Sequence, residues 1–345
     1  MQLYTLNPLQ DGRWDDLVSS HPRSSAFHQR GWIEALAKTY RYRPVVLTCA
    51  PPGVRLSDGL VFCEIDSWIT GSRLVSLPFS DHSEPLLNDA GESIELGEWM
   101  REERRRHNWK YVEFRPLSGN SDLSSLLVPS QSFWFHSLDL KPSLDQVYGN
   151  FHKSCIQRRI QHAERQELSY EKGRSDQLVN EFYELLMITR SRHQLLPQPR
   201  AWIHNLIGCM GENAEIRVVR KGSTAVAAIL TLRHRRTIVY KYGCSAGEFH
   251  SLAGMPLLFW KLIQESKTEG MDEIDFGRTD MENVGLTQFK DRFGTLRKRL
   301  TYYRYGDYGP KAGSVFDVPA TRALFAALPH ALSSRLGGMV YRHFG

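Results

Sequence analysis

Two short stretches lying half a chain apart constrain this 345-residue sequence most: GWIEAL at 31–36 and AWIHNL at 201–206. Each follows a turn-prone segment, SSAFHQR (24–30) or HQLLPQPR (193–200), and each leads into runs rich in β-branched residues broken by Gly, Pro and Ser. In the first half that run is RPVVLTCAPPGVRLSDGLVFCEID (43–66). In the second it is AEIRVVRKGSTAVAAILTLRHRRTIVYKYG (214–243). Both read as helix, strand, turn, strand, and self-similarity of this kind decides architecture ahead of any single motif.

The order continues in parallel. SRLVSLPFS (72–80) reads as a strand, GESIELGEWMREERRRHNW (91–109) as a helix and KYVEFRPL (110–117) as a strand. Their counterparts are TIVYKYGCS (237–245), GMPLLFWKLIQESKTEG (254–270), with Pro256 in its first turn and Gly270 past its end, and MDEIDFGRT (271–279). Strand, helix, strand implies a right-handed crossover between parallel neighbours. The reading is a duplicated α/β chain with mixed sheets: one lobe over 1–145, a second over 146–305, facing each other across a cleft, and a tail over 306–345.

Composition agrees with two cores, at 41% hydrophobic and 24% charged residues. Five scattered cysteines without CxxC spacing argue against a disulfide framework and against a zinc site, so no metal is expected and a reducing, cytoplasmic setting fits. The N-terminus lacks a basic and then apolar leader, and the longest strongly apolar run, AVAAILTL (225–232), is far short of a bilayer span. The net charge of +6 is concentrated in three clusters: 101–110, 152–167 and 289–304. Such local fields suit an anionic partner carrying phosphate.

One stretch, DFGRTDMENVGLTQFKDRFG (275–294), crowds Asp275, Arg278, Asp280, Lys290, Asp291 and Arg292 around three glycines directly after an apolar segment. Together with the preceding helix and strand (254–280) and GLTQFKDRFG (285–294), it resembles the C-terminal lobe of FemAB-type transferases, which are built from two GNAT-like acyltransferase lobes. HKSCIQRRIQHAERQELSYE (152–171) is similar to the basic helix opening that lobe. FHQRGWIEAL (27–36) and SLPFSDHSEPLL (76–87) resemble the N-terminal lobe. The likeness spans about residues 20–305 and is nearest to the FemAB-like group associated with exosortase and exopolysaccharide gene clusters.

That resemblance implies two tandem GNAT-like lobes transferring an acyl or aminoacyl group to an amine in bacterial cell-envelope or exopolysaccharide metabolism. The acceptor implied is phosphate-bearing or lipid-linked; the donor is acyl-CoA or aminoacyl-tRNA. Two features leave the donor open. No room exists for the long helical arm of several peptidoglycan-bridge enzymes, and the position of the GNAT coenzyme A loop reads SLAGMP (251–256), ending in a proline with no N–H. The family's lysine corresponds to Lys290, a compact cation suited to a developing oxyanion. Asp280, with Asp275, is a candidate to orient cations or accept a proton. Arg278 and Arg292 are candidates to grip phosphate or carboxylate. Lys153, Arg158 and Arg159 are placed to meet the acceptor's phosphates, Tyr242 to line the cleft, and Asp81 and His82 to form an acceptor pocket. The alternatives are an internal salt-bridge network for the aspartates and Lys290, plain surface exposure for Lys153, Arg158 and Arg159, and core packing for Tyr242.

Tyr240 and Tyr242 alternate along one presumed strand, which points both to one side. His152 and Cys155 share a helix face but lack a third group to orient them as a nucleophilic pair. The tail places Leu324, Phe325, Leu328, Leu332, Leu336 and Val340 at mostly helical spacing with Arg322, Arg335 and Arg342 nearby, a pattern compatible with peripheral contact at the inner membrane face. Two other functions fit the composition: an acetyl-CoA-dependent GNAT enzyme acting on a sugar or small amine, and a non-catalytic scaffold or RNA-binding module. No aromatic motif interleaves the basic clusters to favour RNA.

Overall fold

In the computed structural model, residues 2–87, 93–118, 127–306, 338 and 340–343 are described. The first half runs β1 (Tyr4–Leu6), α1 (Arg13–Ser20), α2 (Arg30–Tyr40), β2 (Arg43–Thr48), β3 (Leu60–Ile65), β4 (Arg73–Val75), α3 (Ser93–Arg106), β5 (Tyr111–Phe114) and β6 (Val128–Asp139). After α4 (Leu144–Gly149) and α5 (Arg158–Glu164) the order repeats: β7 (Leu168–Gly173), α6 (Asp176–Arg192), α7 (Arg200–Met210), β8 (Ala214–Lys221), β9 (Thr224–His234), β10 (Thr237–Ser245), α8 (Gly254–Thr268), β11 (Glu273–Asp280), α9 (Val284–Asp291) and β12 (Leu296–Gly306).

All twelve strands form one sheet, ordered β1-β2-β3-β4-β5-β12-β6-β11-β10-β9-β8-β7. The order is a palindrome: raising each number in the first half by six, with β12 returning to β6, gives the second half read backwards. Pairing directions match as well. β4–β5 and β10–β11 are the parallel pairs, and the other neighbours are antiparallel. The parallel pairs are the ones joined through helices α3 and α8, as the crossover rule requires. The duplication extends further than the sequence pattern indicated, because the last strand of each half is exchanged. β6 pairs with β11 of the second half, and β12 lies between β5 and β6.

The repeated hexapeptides form the contact between the halves. In α2, Trp32, Ile33 and Leu36 line one face, and in α7 Trp202, Ile203 and Leu206 do the same; all six are fully buried. Trp32 meets Trp202 edge to face, ring centroids 5.3 Å apart at 88°. Gly31 lets the helices approach: a Cβ there would overlap the carbonyl oxygen of Cys209. One core therefore draws on α1, α2, α6 and α7 together, while the opposite face is covered by α3 on one side and by α5 and α8 on the other. This shared core joins the two halves, because both amphipathic hairpins bury the same face against each other. Most of the tail read as amphipathic lies outside the described residues. Near its end, Tyr341 and His343 dock on the first half, where the His343 carbonyl accepts hydrogen bonds from Thr70 and Arg73.

Candidate active site between the halves

The parallel pair β10–β11 is in register from Thr237 and Glu273 to Val239 and Asp275, and then parts. Each strand is irregular where they separate. β10 shifts register against β9 between Tyr240 and Tyr242, and β11 shifts against β6 between Asp275 and Arg278. Gly277 sits in the second bulge at φ +71, a left-handed conformation that glycine adopts without a Cβ penalty. The β10 bulge corrects the reading of the two tyrosines. Tyr240 packs on Phe259 and Phe276 beneath α8, whereas Tyr242 faces the shared core and accepts a hydrogen bond from Trp202 Nε1 at 3.0 Å. The extra residue turns the second ring to the opposite face.

The opening is filled from the first half. The loop after β4 carries Asp81 and His82 into it, with Leu77 (φ 45) and Phe79 (φ 61) in left-handed conformations on the way. Asp81 Oδ2 accepts from Lys241 Nζ at 3.0 Å, and its Oδ1 lies 3.8 Å from Arg278 Nε. His82 Nε2 lies 2.8 Å from Asp275 Oδ2, while Asp275 Oδ1 accepts from the Gly277 amide at 2.6 Å. Arg278 Nη1 donates to the Tyr302 hydroxyl (2.8 Å), which donates to the Asp81 carbonyl (2.7 Å). Arg278 also lies over the Phe133 and Tyr302 rings, at 4.3 and 5.2 Å.

Lys290 projects from the last turn of α9 into this cluster and is 2% exposed. Its ammonium donates to the carbonyls of Gly277 (3.1 Å) and Arg278 (3.0 Å), which the β11 bulge turns away from the sheet ladder. Burial lowers its pKa to about 8, with Lys241 and Arg278 adding to that and Asp81 and Asp275 opposing it. Burial likewise lowers Lys241, against the pull of Asp81. Lys241 is enclosed by the rings of Phe27, Trp32 and Tyr242 at 5.3–5.6 Å. Burial opposes ionisation of Asp81, yet Lys241 and Arg278 outweigh it and hold its carboxyl below the usual range. Three cations against two carboxylates leave the cluster with one positive charge in excess.

A pocket of about 260 Å³ opens on the His82–Asp275 pair. Its walls come from both halves: residues 22–26, His82, Glu84, Leu117 and Ser118 from the first, and His234, Thr237, Val239, Glu273, Asp275 and Lys298 from the second, with Phe135 of β6. Burial, with the neighbouring Asp275, raises the Glu273 carboxyl above its ordinary value. His82 Nδ1 is buried and without a hydrogen-bond partner among the described residues. On the far side of β10, the loop 247–252 leads into the N-terminus of α8. Arg159 donates to the His250 carbonyl there, and Arg192 Nη1 donates to the Ser245 carbonyl (3.1 Å) beside the His250 ring (3.2 Å). Two guanidinium groups thus hold the loop that leads into α8, whose first-turn amides have no partner within the helix.

Of the residues singled out in sequence, Asp81, His82, Arg278 and Lys290 come together here, with Tyr242 against Lys241. Asp280 does not join them: it is exposed where β11 ends, and Asp275 occupies the interior position. Arg292 is exposed and lines a separate hollow with Asn150, His152, Gln288 and Asp291. Lys153 and Arg158 are exposed, and Arg159 turns to His250. His152 Nδ1 caps a π-helical turn by accepting from the Cys155 amide (3.2 Å), which leaves it no nucleophilic pairing. Lys241 and Tyr302 were missed. A lysine between two tyrosines in an otherwise apolar strand, VYKYG, is the signal that marks the first. Among the described residues no cluster suits a metal ion, and no helix is long and apolar enough to cross a membrane.

Residues 151–291 match the acetyltransferase (GNAT) domain family. No curated protein sequence matches the chain. Among solved structures, FemX superposes with a TM-score of 0.70 at 13% identity, covering 89% of this chain and 98% of that one. A tandem GNAT protein from the clavulanic acid biosynthesis pathway gives 0.53 at 11% identity, covering 88% and 98%. The C-terminal DUF2156 domain of an Agrobacterium fabrum protein gives 0.57 at 14%, covering 88% and 93%.

Proposed function

From a FemAB-like tandem GNAT fold as premise, we propose that this chain transfers an acyl or aminoacyl group to an amine acceptor of bacterial cell-envelope or exopolysaccharide metabolism. The observation that carries the reading is the parted β10–β11 pair with its buried surplus of positive charge, beside a pocket from both halves that opens on His82 and Asp275. The fold is that of GNAT acyltransferases, and the activity and the roles that follow are our assignment.

The acceptor amine enters the pocket, where Glu273 and the His82–Asp275 pair face it. Its nitrogen attacks the donor's carbonyl carbon, a C–N bond forms, and the carbonyl oxygen takes up negative charge. Lys290 keeps one of its three N–H donors beyond the two held by carbonyls, and its charge, with that of Arg278, stabilises this oxyanion. The nitrogen gives up a proton through the His82–Asp275 pair, and the bond from carbon to the leaving sulfur or oxygen breaks as that atom is protonated. Asp81 positions Lys241 and Arg278 and touches neither reactant.

The donor's phosphates are assigned to the α8 N-terminus with Arg159 and Arg192. That site suits a coenzyme A thioester as readily as the terminal nucleotides of a charged tRNA. Pro256 removes one amide from the first turn of α8, which leaves either donor's phosphates to be held chiefly by the two arginines. Single-turnover transfer with each donor, offered to UDP-linked amino sugars and to small amines, tests the proposal. Transfer that Arg159→Ala weakens through donor KM and Glu273→Gln through acceptor KM is expected. A folded protein inactive with every pairing, and unshifted in melting temperature by every donor, overturns it.

A further inference from the structure

The turn between β3 and β4 holds its most apolar residues out to solvent. Trp68 is 88% exposed and Ile69 44%, among the largest exposed hydrophobics in the described chain. The turn is firmly built. The Ser67 hydroxyl accepts from the amides of Ile69 (3.2 Å) and Thr70 (3.0 Å) and from the Thr70 hydroxyl (2.9 Å), and the Gly71 amide donates to the Ser67 carbonyl at 2.7 Å. From below, His343 places Nδ1 2.9 Å from the Ser67 hydroxyl and its ring 5.8 Å from the Trp68 ring. Trp68 is thus presented by a braced turn, an arrangement with no benefit to a group meant only for water.

Beside it lies a cationic hollow of about 450 Å³ between the turn and the end of α3, lined by Gly71, Ser72, Arg104, Arg105, Asn108, Trp109 and Lys110. Three cations line it and no carboxylate does. Lys110 Nζ donates to the Thr70 carbonyl at 2.8 Å, which brings its charge directly under the apolar tip. Arg342, exposed next to His343, adds a fourth cation. Of the nearby acids, Glu103 pairs with Arg106 and His107 and Glu64 faces His107 and Arg43, while Asp66, which accepts from the Ser72 hydroxyl, and Glu102 are exposed.

An aromatic and an aliphatic side chain at a rigid tip, flanked by cations, match the interface of an anionic bilayer: the ring settles at the level of the headgroups while the cations meet lipid phosphates. We propose that this end of the first half, Trp68 and Ile69 with Arg104, Arg105, Lys110 and Arg342, docks the protein on an anionic membrane surface. The assignment is independent of the transfer chemistry, and of residues 307–337.

Co-sedimentation of the full chain with vesicles of phosphatidylglycerol and phosphatidylcholine, against phosphatidylcholine alone, reads the proposal. Pelleting with the anionic vesicles that weakens at high salt is expected. Trp68→Ser with Ile69→Ser should lower the partition about tenfold, and Arg105→Ala with Lys110→Ala about fivefold for each charge removed. Both variants should keep wild-type melting temperature and wild-type turnover on soluble acceptors. Equal pelleting of the Trp68→Ser, Ile69→Ser variant and wild type overturns the proposal, since the chain's other segments then do the binding. So does absence of pelleting, and so does vesicle-free self-association that this variant abolishes, which would assign the tip to a second copy.

Discussion

The two parallel strand pairs share one pattern, and the clearest difference between β5 and β11 is one inserted residue. At β5 the chain reads VEFR (112–115); at β11 it reads IDFGR (274–278), the same pattern with Gly277 inserted. Without the glycine, the first pair stays closed past its last register position. The Ser76 amide donates to the Glu113 carbonyl, the Arg115 amide donates to the Ser76 hydroxyl, and Glu113 is locked between Arg115 and Arg304 at 2.9 and 2.7 Å. With the glycine, β11 bulges, its carbonyls turn to Lys290, and its aspartate and arginine are released from each other to meet His82 and Asp81. Duplication supplied two scaffolds. One was sealed by its own ion pairs and lends its loop to the other, which alone stays open.

The sharpest way to break this comparison is at Lys290. Lys290→Met keeps the length of the side chain but removes the charge, so turnover should fall about 100- to 1,000-fold. Two buried carbonyls are left without a donor, so stability should also drop by about 1–3 kcal/mol. Turnover near wild type in the folded variant would reduce Lys290 to a brace for the bulge. Glu113→Gln probes the sealed half: it strips a buried carboxylate from two arginines, at about 3–5 kcal/mol of stability, with turnover per folded molecule unchanged. A parallel loss of turnover would mean that the first half is more than a scaffold.

Gly277→Ala asks whether the inserted residue must be glycine. At φ +71 an alanine costs about 1–2 kcal/mol, and its Cβ would stand 3.1 Å from Asp81 Oδ2, so melting temperature and turnover should fall together. The smallest effect is in pH. Folding moves the Lys290 ammonium from its ordinary 10.5 to about 8. Between those values the unfolded chain binds more protons, so this group makes stability rise with pH across that window. Turnover should fall through pH 8 as the charge is lost. Lys290→Met should lack both trends in urea titrations and rate profiles.

The parts of this picture legible in the sequence are those written in local period and order. The Trp-Ile hexapeptides and the helix between parallel strands are patterns of neighbouring residues, and each stands where it was read; the Gly-bearing loop before FKDRFG does not, since Gly277 lies in β11 and Gly285 in α9. The exchange of β6 and β12 is not local: both are ordinary alternating strands, and nothing in either names its partner. The bulges were equally hidden. One extra residue inverts every later side chain, which is why Tyr240 and Tyr242 part company; Asp280 is exposed because it ends β11, while Asp275 lies inside the sheet. Lys241 escaped because a buried cation is recognised by its enclosure of rings, drawn from residues 27, 32 and 242, and not by its own surroundings in the chain.

The exchanged strands also set a timetable for assembly. While the ribosome has released only the first half, β5 has no neighbour on its inner side, because that place belongs to β12 at residues 296–306. An open strand edge of this kind invites pairing with other chains. Closing it joins segments separated by most of the polypeptide, which slows folding. At a synthesis rate of about 5–20 residues per second, the nascent edge waits on the order of ten seconds or more for its partner. The molecule therefore becomes one unit only when nearly all of it exists, and cutting it between the repeats should yield two insoluble pieces instead of two domains.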